Sequence, residues 1–149
     1  MTAVQSRSDI SNIPFLRVGP AVSIDDAIIL QDAGRSGDML VKTLMAYNPT
    51  SKKWVPFTDE TATDGTQYPK GILTKTLSEA AIKAGDILGV SIYVGRMIID
   101  GAQLVIESSK TLDTIVNIPA GLNTSVKDLL KQINIFTEAT VDIDGFENS

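Results

Sequence analysis

From Leu88 to Gly95, the apolar residues Leu88, Val90, Ile92 and Val94 alternate with Gly89, Ser91, Tyr93 and Gly95. That period of two is the signature of a half-buried β-strand. Turn formers bracket it: Ala84-Gly85-Asp86 before, and Asp100-Gly101 after the apolar run Arg96 to Ile99. Asp-Gly readily supplies the positive φ that tight turns between strands need. Upstream, Met39 to Phe57 reads MLVKTLMAYNPTSKKWVPF, a short apolar strand followed by a polar hairpin carrying Lys52-Lys53-Trp54. A further Asp-Gly turn at Asp64-Gly65 precedes another apolar strand opening at Gly71-Ile72-Leu73. Several short strands at close spacing predict a small barrel or sandwich rather than a parallel α/β sheet. Ser78 to Ala84 adds one helical turn.

The clearest helix is near the C-terminus, over 124–135. Val126, Leu129, Leu130 and Ile133 recur at i, i+3, i+4, i+7, with Lys127, Asp128, Lys131 and Gln132 opposite and Asn123, Thr124 or Ser125 as cap. Val141 and Ile143 then alternate with acidic residues, which predicts a short last strand before the polar tail from Gly145. The fold expected is mainly β with a minor α component. Residues 1–38 read as an arm, partly extended, ahead of a β-rich domain at 39–149. Pro14 and Pro20 rule out a continuous helix there, and Asp32 to Asp38 is a hinge of turn formers. Ser23 to Leu30 has a second reading, as a strand of the body. Ile10, Ile13, Phe15 and Leu16 equip the arm to order on a partner.

The 149 residues include no cysteine and no histidine. Disulfides, Cys nucleophiles, Ser-His pairs and the usual zinc and iron sites are thereby excluded. Carboxylates, Ser-Lys pairs and Tyr remain, in no recognisable catalytic motif, so no enzyme activity and no cofactor are expected. Asp142-Ile-Asp144-Gly145 has part of a calcium loop but lacks its full spacing, and reads as a strand-ending turn. Asp25-Asp26 and Asp59-Glu60 are neighbours in sequence, which a strand would point to opposite faces. The net charge of −5 opposes nucleic-acid binding, which needs a surplus of Lys and Arg. No run approaches the roughly 18 to 20 apolar residues of a membrane span, and the N-terminus lacks the pattern of a secretory signal. Synthesis in a cytoplasm, with no membrane partner, is the expectation.

The succession Met39 to Phe57, Asp64-Gly65, Tyr68 and Gly71-Ile72-Leu73 resembles the lambda-type head decoration proteins of tailed phages, which stabilise capsids. In that family a strand, a polar turn, an aromatic residue, an Asp-Gly and a Gly-Ile-Leu follow at similar spacings. The resemblance covers about Met39 to Ile106, with a weaker echo to Ile143. It implies a small β-barrel with one C-terminal helix that forms a homotrimer. The trimer would sit at three-fold or quasi-three-fold positions on the outer capsid surface of the virion, clamping adjacent major capsid subunits. The arm, through Ile10, Ile13, Phe15 and Leu16, would be the capsid-binding element, and Trp54 and Tyr68 candidate interface residues. Two departures stand out: the region before Met39 is long and apolar, and Ser108 to Leu122 exceeds a minimal barrel. A rival expectation is a virion carbohydrate-binding or fibre-base β-module with Trp54, Tyr68 and Tyr93 as a sugar platform.

Overall fold

The computed structural model describes residues 15–18, 21–116, 118 and 122–138. Its elements in chain order are β1 (Leu16–Val18), β2 (Val22–Ile29), β3 (Leu44–Asn48), β4 (Lys53–Pro56), β5 (Pro69–Leu73), α1 (Glu79–Ala84), β6 (Ile87–Gly95) and β7 (Met97–Asp100). A 3₁₀ turn (Gly101–Gln103), β8 (Ile115–Val116), β9 (Thr124–Ser125), α2 (Val126–Gln132) and β10 (Ile135–Glu138) follow. The fold is mainly β. Strands β2-β4-β3-β5-β6 form a closed barrel, and β1-β7-β10 a three-stranded sheet beside it.

Strand periodicity divides the apolar residues into two cores. Met45, Trp54, Leu73, Val90, Ile92, Ala27 and Ile29 fill the barrel, closed at one end by Met39, Leu77 and Ile82 of α1. Their neighbours Leu44, Ala46 and Ile72 point the other way, onto Met97, Ile99, Leu129, Leu130 and Ile135 of the outer layer. The barrel wall therefore buries both faces where the outer layer covers it. Gly71 shows how tightly the interior is filled. A Cβ there would lie 2.5 Å from Ile92 Cγ2 and 2.8 Å from the Tyr93 carbonyl oxygen, with the Trp54 ring at 3.2 Å.

Helix α1 starts where Ser78 caps it, accepting a hydrogen bond from the Ala81 N–H at 3.2 Å. Helix α2 is shorter than the predicted 124–135. Thr124 and Ser125 are extended, paired with Val116 and Ile115, and Ser125 caps the helix by accepting from the Asp128 N–H at 3.2 Å. At the other end Asn134 takes φ +61°, a left-handed conformation that Asn tolerates and that stops the helix.

Several expectations need correction. Val22–Ile29, placed with the arm, is a barrel strand paired along β6, so the second reading of Ser23 to Leu30 is the right one. Phe15 and Leu16, expected on the arm, belong to the described fold. Leu16 pairs with Ile99, Phe15 accepts the Asp100 N–H at 2.8 Å, and both pack half-buried against the outer core. Ile10, Ile13 and the strand predicted around Val141 and Ile143 lie outside the described residues. The expected hinge is pinned: Arg35 donates two 2.6 Å hydrogen bonds to the Glu107 carboxylate and others to the Gly37 and Asp38 carbonyls. Leu88, expected inside, is 71% exposed. Between Ala27↔Val90 and Ile29↔Ile87, β6 carries one residue more than β2, and Gly89 at φ +68° makes the bulge that expels Leu88.

Candidate functional site

The barrel closes weakly at one seam. Strand β2 pairs with β6 from Val22 to Ile29, but it meets β4 at one residue pair, Ile29↔Trp54, in parallel. The Leu30 N–H donating to the Trp54 carbonyl at 3.0 Å reinforces that closure. Away from it, a cleft of about 600 Å³ opens beside the edge of β2 that has no other strand partner among the described residues. Ile24, Asp26, Ala27 and Ile28 form one wall, Tyr47, Lys52 and Trp54 of the β3–β4 hairpin another, and Lys70, Val94 and Ile133 the remainder. A concave, mostly apolar cavity at a barrel mouth is a common place for ligands or partner side chains.

The local sequence builds this geometry. Asn48 Oδ1 accepts from the Thr50 and Ser51 N–H groups at 2.9 and 3.2 Å, and Lys52 takes φ +60°. The turn so formed places Tyr47 directly opposite Trp54, ring centroids 5.1 Å apart and tilted 55°. Trp54 is only 6% exposed, so it serves as cleft floor and core together. Lys53 is turned away to Asp86, with Nζ 2.7 Å from Oδ2. Lys52 and Lys70 also line the cleft, and Asp26 is its one acidic lining residue.

Of the four described residues among those singled out from sequence, Trp54 alone lines this cleft. Tyr68 packs against the outer core, its ring 5.9 Å from Lys70 Nζ. Phe15 and Leu16 lie in that same outer layer, and Ile10 and Ile13 are outside the described residues. Tyr93 also joins the outer core, whereas Trp54 is in the inner one. The three aromatics of the sugar platform thus do not share a face. Tyr47 was missed, although the hairpin register alone would have paired it with Trp54. Ile24 and Ala27 were missed because the strand carrying them was assigned to the arm.

Several other carboxylates are engaged away from the cleft. Glu60 pairs with Lys110 at 2.7 Å and Glu107 with Arg35. The Asp86 carboxyl is held below its ordinary value, first by the Lys53 hydrogen bond and then by the Gln31 N–H. Asp59 and Asp64 are lowered chiefly by bonds from Thr61 and Thr66, and Glu60 by Lys110. Carboxyls held low are poor proton donors near neutral pH. Among the described residues no group of three or more Asp or Glu side chains could hold a metal ion. Nor is any helix among them long and apolar enough to cross a membrane. Asp142 and Asp144 lie outside the described residues. No family model, curated protein or solved structure matches the chain.

Proposed function

We propose that this protein decorates the outside of a phage capsid, binding as a homotrimer and clamping adjacent major capsid subunits. What supports the reading is the closed five-stranded barrel with a single helix of seven residues, the fold the resemblance of Met39 to Ile106 implies. The chain also leaves the described fold twice at one place. Phe15 is bonded to Asp100, and Glu138 is paired with Asp100, so both tails start from the same end of β7. A trimer would bring three N-terminal segments to the capsid at once, and multivalent attachment makes weak contacts effective. An extended tail can add a strand to an exposed sheet edge on a capsid subunit.

The test is cosedimentation with expanded capsids. The full chain should pellet with capsids and saturate in multiples of three per site. Deletion of residues 2–14 should leave the fold intact and weaken cosedimentation at least tenfold. Absence of binding by the full chain to any expanded capsid, with binding to a glycan array instead, would replace this reading with the carbohydrate module.

A further inference from the structure

The geometry points to the cleft between β2 and the β3–β4 hairpin as the seat of the C-terminal segment of a second copy of this chain. This inference rests on the self-association in the proposed function and supplies its contact. The edge of β2 left without a partner among the described residues offers backbone groups to a further strand, and beside it lie the apolar surfaces of Ile24, Tyr47, Trp54 and Val94. The occupant must therefore be extended, apolar at alternate positions and acidic enough to suit Lys52 and Lys70. The residues after Glu138 read ATVDIDGFENS. Val141 and Ile143 fall on one face of an extended chain and Asp142 and Asp144 on the other, and the segment carries three acids and no base. So short a strand has no stability alone.

Direction argues for a neighbour's cleft rather than the chain's own. Strand β10 runs parallel to β7, from Ile135↔Met97 to Glu138↔Asp100. The cleft is at the starting end of that path, at Ile133 and Val94. At Glu138, the last described residue, β10 is thus running away from the cleft. A tail seated in the next copy makes a head-to-tail contact, which closes into a ring when the rotation suits.

The chain has no cysteine, so Lys52→Cys with Asp142→Cys introduces the only two thiols. A short bis-maleimide should then give covalent dimers and trimers on a denaturing gel, while each single variant stays monomeric. An internally crosslinked monomer would show the tail folding into its own cleft, and no crosslink would show it seated elsewhere; either overturns the inference. A second readout uses the only tryptophan, Trp54. Ending the chain at Glu138 should shift its emission to the red, and the peptide ATVDIDGFENS should reverse the shift. The same peptide with Val141→Asp and Ile143→Asp should not. Unchanged emission on truncation also overturns the inference. Crosslinked trimers that fail to cosediment with capsids would leave this contact standing and remove only the capsid role.

Discussion

Gly71 carries more of the fold than its size suggests. Its missing side chain lets the Trp54 ring lie across β5, and any Cβ would meet Ile92 and the Tyr93 carbonyl, one of them backbone. Gly71→Ala should therefore lower stability by about 1–3 kcal/mol, the usual result of overpacking, measured as a lower urea midpoint with unchanged slope. Gly37 offers the contrast: at φ +83° a Cβ meets nothing within 4 Å, so its replacement by Ala strains the backbone alone. The acid side of the stability profile is also set by single residues. Asp86, Asp59, Asp64 and Glu60 are all held below their ordinary values in the fold. Their contribution is present above the unfolded carboxylate range of about 4 and is lost as pH falls through the lowered folded values. Urea midpoints should be flat from about pH 7 to 5 and fall below about pH 4. Asp86→Asn should make that fall shallower; an unchanged slope would mean that the Lys53 pairing contributes nothing.

Among the elements, β1 sets where the N-terminal segment can be cut. It is three residues long, yet it covers one edge of β7, and Phe15 beside it receives the Asp100 N–H. Deletion of residues 2–20 should therefore lower the melting temperature by several degrees, consistent with loss of about 1–3 kcal/mol. Deletion of residues 2–14 should leave it unchanged within a degree or so, because every described contact of Phe15 and Leu16 is retained. Equal melting temperatures for the two deletions would show that β1 adds nothing to the sheet. For the same reason Phe15→Asp is a folding variant: it places a charge against the outer core, and reduced capsid binding by it would not identify a contact.

At the scale of the molecule, exposed apolar residues bear on self-association. Leu88 and Leu122 are about 70% exposed, at 71% and 69%, and Ile115 pairs beside β9 with its side chain also exposed. The cleft beside β2 adds further apolar surface. Light scattering of the full chain should give three times 15.9 kDa. A monomer at all micromolar concentrations, without capsids present, would remove the preformed trimer.

Period-two alternation and turn residues determined by themselves that the chain is mainly β. They also located the strands near Met39 to Phe57, Gly71 to Leu73 and Val90 to Val94, because one apolar face per strand is a local property. The amphipathic stripe of α2 was legible for the same reason, with Asn123, Thr124 or Ser125 as cap; the fold selects Ser125. Only the tertiary structure decided what became of β2. Between Ile24↔Ile92 and Ala27↔Val90 it carries one residue more than β6, so a bulge at Asp25-Asp26 shifts its inward residues out of alternation. Gly89 does likewise for Leu88. A bulge belongs to a pair of strands, and no single segment displays it. The cleft was illegible on the same ground: it exists because β2 meets β4 at one pair while β6 holds it elsewhere, a relation among residues far apart in sequence.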